Sequence, residues 1–212
     1  MSTEYAHRNV LAEPLSLPTR PVVLKSGVAY LEGAVLGRIK KAKGAVAAAE
    51  GNTGNGAISG TSIGAKAEIG TYTLTCVEAA GNAGRFEVVA PSGQRLKDLT
   101  VAVAYATDHI NLTVADGDAD FIVGDVITFV VEAGDDAGKY GLVDESAVDG
   151  KADAELILAE DADASEGDVT SIAYAQGRIN KRRCYVADGS DVDNHVETLA
   201  ARGLILEDAA QT

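Results

Sequence analysis

Apolar positions in residues 20–43 come in short runs broken by glycine turns. Pro21-Val22-Val23-Leu24 starts a strand, and Ser26-Gly27 turns it. Val28-Ala29-Tyr30-Leu31 extends it, Glu32-Gly33 turns again, and Ala34-Val35-Leu36-Gly37-Arg38-Ile39 is a second apolar run. Such runs between Gly-containing turns predict β-structure, not helix. The pattern stops at Lys40, Lys41, Lys43 and Gly44, and text of the same kind resumes only at Gly138-Lys139-Tyr140-Gly141-Leu142-Val143. The break predicts a small host domain, residues 22–43 plus 138–212, interrupted by a second domain over 44–137. Residues 1–21 form an N-terminal arm.

Within the insert, Ala45 to Ala49 reads as a small-residue linker. Gly51-Asn52-Thr53-Gly54-Asn55-Gly56 follows, a loop of residues that tolerate positive φ. It resembles a dinucleotide-binding loop only loosely. No βαβ unit surrounds it, so phosphate binding is not expected. Alternation then sets in. Tyr72, Leu74 and Cys76 share one face, Phe86 and Val88 flank Glu87, Val101, Val103 and Tyr105 alternate with alanines, and Ile110, Leu112 and Val114 alternate with Asn111 and Thr113. Residues 121–131 are apolar nearly throughout and read as a central strand. Five or six short strands with Gly-rich turns predict an antiparallel β-sandwich, whose two ends must lie close together.

Past the insert, strands are expected at 139–143, 154–158 and 169–175, separated by polar loops. The one helix predicted is short: Ser190 as N-cap, then Val192, Val196 and Leu199 at helical spacing, with Gly203 as the C′ residue. Leu204-Ile205-Leu206 follows as a last strand. The fold class is therefore mostly β, with one short C-terminal helix and an inserted sandwich.

Charge refines this picture. The chain carries −14, but residues 1–43 hold Arg8, Arg20, Lys25, Arg38, Lys40, Lys41 and Lys43 against Glu4, Glu13 and Glu32, which leaves −18 on the rest. An acidic body repels nucleic acid, and no nucleic-acid partner is expected. The arm, at the head of that basic stretch, holds Tyr5, Val10, Leu11, Leu15 and Leu17, with Pro14, Pro18 and Pro21 to keep it extended. An extended, apolar segment leading a basic stretch suits addition to the edge of a partner's sheet. No secretory leader and no run long enough to span a membrane are read. Cys76 and Cys184 fall in different domains and are expected as free thiols of a chain folded in a reducing cytosol.

Candidate chemistry is sparse. The acidic loop 116–120 lacks the Gly and Glu that an EF-hand needs at its sixth and twelfth positions, where Phe121 and Ile127 stand. A solvated turn is expected there, and likewise around Asp161, Asp163 and Glu166. His7, His109 and His195 are scattered, without partners at metal or triad spacing, and His195 is expected to be exposed. No catalytic residue, metal or cofactor is assigned, and the chain is not read as an enzyme. Arg178, Lys181, Arg182 and Arg183 read as an ion-pair face.

The order of the host text resembles one family. An arm ending Thr19-Arg20-Pro21-Val22 leads to Ser26-Gly27 and Gly33-Ala34-Val35-Leu36-Gly37. Then come Gly138-Lys139-Tyr140, an Ala-rich strand with its Asp-rich loop, and a helix ending Leu199-Ala200-Ala201-Arg202-Gly203-Leu204-Ile205. This succession, about half the chain, looks like the head decoration (capsid cement) proteins of lambda-like tailed bacteriophages. The resemblance implies a homotrimer made in the bacterial cytoplasm and placed on the outer surface of the virion head. It further implies that the arm orders on the major capsid protein, with Tyr5, Arg8, Val10, Leu11, Leu15, Leu17 and Arg20 as binding residues, and that the insert points outward. A rival reading makes the insert a glycan- or host-surface-binding, adhesin-like module; the absence of Trp weighs against a strong lectin.

Overall fold

The computed structural model describes residues 17–208. The chain divides into two compact units, one running to Lys40 and resuming at Asp136, the other Lys41–Asp135. The first begins with β1 (Thr19–Leu24), β2 (Ala29–Tyr30) and β3 (Val35–Arg38). The second holds β4 (Ala42–Ala48), β5 (Ile58–Ile63), β6 (Gly70–Glu78), β7 (Arg85–Val89), β8 (Leu99–Thr100), β9 (Ile110–Val114) and β10 (Val126–Glu132). The first then resumes with β11 (Tyr140–Leu142), β12 (Ala154–Leu158), β13 (Ala162–Asp163), β14 (Val169–Tyr174) and β15 (Gly177–Asn180), and ends with α1 (Val196–Ala201) and β16 (Leu204–Glu207).

In the host unit, strands from both sides of the interruption close a barrel in the order β1-β11-β3-β12-β14. Its interior is filled by Val22, Leu24, Leu36, Tyr140, Leu156, Leu158 and Ala173, with Tyr30, Ala34 and Ala164 closing it. The alternate residues of the same strands, Val35, Ala154, Ile157 and Tyr174, point the other way and pack under Ile179, Leu199, Leu204 and Leu206 of the C-terminal layer. Both faces of β3 and β12 are thus covered, which is why these strands are apolar in succession and not alternating. β1 and the part of β14 before Tyr174 lack that cover, and Val23 and Ile172 on their outer face stay 40% exposed. At Gly37 a Cβ would fall 2.0 Å from the Lys151 carbonyl oxygen, so the middle of β3 admits no side chain.

The point of interruption is a β-hairpin tip. β3 and β11 pair antiparallel (Leu36 with Leu142, Arg38 with Tyr140). The ladder continues one step further, with Ile39 N–H donating to the Lys139 carbonyl and Gly138 N–H to that of Ile39, both at 2.9 Å. Where a hairpin would turn, the chain carries a second unit.

That unit packs a five-stranded sheet, β4-β10-β6-β7-β8, over the β5-β9 pair, and every strand pairing in it is antiparallel. Tyr72, Leu74, Cys76, Phe86, Val88, Ile110, Leu112 and Val114 are buried as their alternation predicts. Three expectations are corrected. The small-residue linker is strand β4, an edge strand hydrogen-bonded only to β10; alanines and a glycine on both faces give it no apolar period to read. The run 121–131 is a loop up to Asp125 and a strand only from Val126, because Gly124 (φ +100°) breaks it. Val101 and Tyr105 are buried, but Ala102 sits at φ +61° and turns Val103 out, leaving it 56% exposed.

In the host, the predicted helix starts later. A 3₁₀ turn (Val192–His195) precedes α1, and its cap is Asp191, whose carboxylate accepts from Asp193 N–H at 3.0 Å. Ser190 instead accepts the Glu145 amide through Oγ at 3.0 Å. Gly203 closes the helix at φ +90°, as its position predicts. No helix among the described residues is long and apolar enough to cross a membrane.

Candidate docking surfaces

The root of the arm belongs to the body. Pro18 accepts the Ala175 amide at 2.9 Å, extending the β1–β14 ladder backward. Leu17 packs on the core beneath the C-terminal layer. It lies over Gly177 (φ +133°), where a Cβ would stand 2.5 Å from a Leu17 methyl, so only glycine leaves it room. The Arg20 guanidinium donates to Tyr140 Oη and lies 5.7 Å from that ring's centroid. Of the residues assigned to capsid binding, Leu17 and Arg20 are therefore occupied inside their own unit. Tyr5, Arg8, Val10, Leu11 and Leu15 lie outside the described residues.

Beside β1 runs a chain of alternating charges. Lys25 pairs with Asp136, Asp136 with Lys139 at 2.7 Å, and Lys139 with Asp168 at 2.6 Å. Asp168 also accepts the Ser26 amide at 2.8 Å. Bonds from Lys139, and then Lys25 or Ser26, hold both carboxyls below their ordinary value, while Asp136 and Asp168 raise Lys139. The first residue back from the insert is thus tied to the end of β1 and to the start of β14.

The basic cluster of the C-terminal layer is largely paired within the chain. Arg178 meets Glu207, Lys181 meets Asp193 at 2.9 Å, and Arg182 meets Asp208 at 3.4 Å. His195 is corrected from exposed to buried: it is 6% exposed and faces Glu145 Oε1 at 3.4 Å. The same oxygen accepts the Asp191 amide and Asn194 Nδ2, each at 3.0 Å; these bonds hold the Glu145 carboxyl below its usual range and brace the loop after β11 against the helix start.

In the insert, β4 begins and β10 ends at the entry end of the sandwich. The opposite, far end gathers the loops 49–57, 79–84, 101–104 and 115–125. Asp125, 4% exposed, organises it. Its carboxylate accepts the amides of Thr53 (3.0 Å), Gly54 (2.9 Å) and Ile122 (3.1 Å). Burial alone would raise this carboxyl, but the three amide bonds outweigh it and hold it low. Asn52 mimics a strand partner toward Val126, donating at 2.7 Å and accepting at 2.9 Å. Asn55 accepts the Ala119 amide at 3.1 Å, and Asn82 N–H reaches Asp120 at 3.3 Å. The anion-cradling amides of the Gly/Asn loop therefore hold a carboxylate of their own chain, which accounts for a motif otherwise suggestive of phosphate.

No group of three or more His, Cys, Asp or Glu among the described residues is placed to hold a metal ion. Cys76 and Cys184 are free thiols, and burial pushes Cys184 up to about 12. Sequence reasoning missed two things: the role of Asp125, and the outward turn of Val103, Ile122 and Val123. The signal for Asp125 was one acid interrupting an apolar run after a glycine, a pattern that also reads as a plain strand start.

No family model matches the chain, and no curated protein matches it. Among solved structures it is similar to two crystal structures of Xanthomonas campestris FlgL, in space groups H3 and C2. Identity is 15% and 16%, with a TM-score of 0.32 in both; the match covers 48% of this chain and 32% and 31% of FlgL. The chain spans about a third of FlgL in these matches, and likeness at that score carries no argument.

Proposed function

We propose that the protein is a head decoration protein of the lambda-like tailed-phage kind. It binds the outer surface of the expanded head as a homotrimer and stabilises the shell against the pressure of packaged DNA. Its partner is the major capsid protein, to whose sheet the arm adds a strand. The observation that supports this reading is convergence: the segments carrying the resemblance lie on both sides of a long interruption, yet they belong to one compact unit and share one closed barrel. Leu17 and Arg20, anchored on that barrel, define where the docking part of the arm starts, at residues 1–16. The role is mechanical and calls for no catalytic group.

The glycan-binding alternative is weaker. All aromatic residues of the insert, Tyr72, Phe86, Tyr105, Phe121 and Phe129, are buried, so none offers a face for stacking on a sugar ring. The deciding experiment mixes undecorated expanded heads with full-length protein or with a form lacking residues 2–16, then sediments them. Stopping the truncation before Leu17 keeps the barrel intact. The full-length chain pellets with heads and the truncated one stays in the supernatant. Equal pelleting of both forms, or of neither, refutes the reading.

A further inference from the structure

Four large apolar side chains of the insert are exposed: Ile69 (57%), Val103 (56%), Ile122 (47%) and Val123 (64%). Three of them, Val103, Ile122 and Val123, stand on loops at the far end of the sandwich. Gly84 lies between those loops: a Cβ there would be 3.5 Å from Val101 and 3.9 Å from Phe121. Neither loop is loose. The turn bearing Ile122 and Val123 is closed by Asp125, which accepts the Ile122 amide and two amides of the facing loop. Val103 is turned outward by Ala102, an alanine held in the left-handed region that favours glycine. Backbone strain of this kind persists only where the surrounding structure enforces it, and it concentrates at binding sites. A rigid loop that presents apolar side chains has little ordering entropy left to lose when a partner arrives.

Charge tells what kind of partner fits. The far-end loops, residues 49–57, 79–84, 101–104 and 115–125, contain no Lys, Arg or His, while Glu50, Asp118 and Asp120 are exposed among them. Asp125 is engaged with amides and adds no free anion. Exposed apolar side chains on acidic loops, with the flanking Arg85 already paired to Glu78 and Asp98, match a surface of the reverse kind.

We infer that the far end of the insert is a docking surface for a basic polypeptide that exposes aliphatic side chains among its lysines or arginines. The apolar contacts of Val103, Ile122 and Val123 supply affinity, and Glu50, Asp118 and Asp120 select the charge. The inference does not depend on capsid binding, because the arm and the host barrel take no part in it.

The test uses full-length protein and fluorescent twelve-residue peptides read by anisotropy at physiological salt. A peptide of alternating Lys and Leu binds; those of alternating Glu and Leu, or Lys and Ser, do not. The double variant Ile122→Ser/Val123→Ser and the double variant Asp118→Asn/Asp120→Asn each weaken binding at least tenfold, whereas Ile69→Ser, at the entry end, leaves it unchanged. Equal binding of the Lys-Ser peptide reduces the effect to net charge and overturns the inference, as does an equal loss with Ile69→Ser. Because a double variant could disturb the loop, a Lys-Leu peptide carrying a photo-crosslinker is also mapped on the unaltered protein. Adducts within 101–104 and 115–125 support the site, and adducts elsewhere refute it. Self-association of the protein that Ile122→Ser/Val123→Ser abolishes would make a second copy the occupant, and would overturn the basic partner.

Discussion

Two carboxylate devices, one in each unit, hold loops in place by different means. The insert takes one carboxylate, Asp125, out of water and surrounds it with backbone amides. The host buries Glu32 but strings other carboxylates between lysines near the surface, as in the Lys25, Asp136, Lys139, Asp168 chain, whose side chains are 23–43% exposed. Amide dipoles are fixed in place by the fold and shielded from salt, so the insert's device specifies one loop arrangement. Exposed ion pairs are worth little individually and are screened by electrolyte, so the host's device adjusts charge without dictating structure. The host's structure is dictated instead by its two-sided core.

Substitutions in each unit test that division. The largest effect falls on the host: Leu199→Ala, which opens a hole under the C-terminal layer, costs about 3 kcal/mol. Calorimetry then records the host transition at a lower temperature with the insert transition in place. Asp125→Ala does the reverse. Three buried or half-buried amides lose their acceptor, a loss of about 2–3 kcal/mol, and only the insert transition falls. A single merged transition shifting in either variant would mean that the units are not independent.

Acid sharpens the comparison. Asp125, Asp136 and Asp168 are all depressed in the folded state. Each therefore adds stability that is fully present above the ordinary aspartate value, near 3.8, and is lost as pH falls through the lower folded value. Both units weaken below about pH 4. Molar salt weakens the ion-paired share in both units, Asp136 and Asp168 in the host and Asp98 and Asp108 in the insert, and spares the share of Asp125, which rests on amides. Melting curves at pH 3 and pH 6, with and without salt, measure this.

What could be read from sequence follows the same divide. Alternation gave β6, β7 and β9 of the insert with the correct faces, because one side of each strand is core and the other is not. It also gave β14, whose Val169, Ser171 and Ala173 lie opposite Ile172. It gave no hint of β4, built of alanines, nor of β5, whose Ile58 and Ile63 bracket small polar residues. Closure of the barrel was out of reach, since β1 and β3 find β11, β12 and β14 across the whole insert, and no local pattern encodes a partner so distant. Ile122 and Val123 look like core in one dimension. Only the turn that Asp125 closes puts them outside. His195 was misjudged for a related reason: its burial depends on the loop carrying Glu145, some fifty residues away.

The smallest effect is expected from the largest change. Removing residues 41–135 and joining Lys40 to Asp136 through Asn-Gly, a dipeptide suited to a tight hairpin, leaves the host transition within a few degrees of its place. Failure of this shortened chain to fold would show that the barrel needs its passenger.

That hairpin tip has a wider meaning. Ile39 and Lys139 are already paired before the chain departs, and β4 and β10 run side by side, so the departing and returning strands of the guest are close neighbours. The host thus contains a splice point that asks of its cargo only that head and tail meet. An unrelated domain meeting that condition could be grafted at the same two residues, and every copy of the barrel would then carry it.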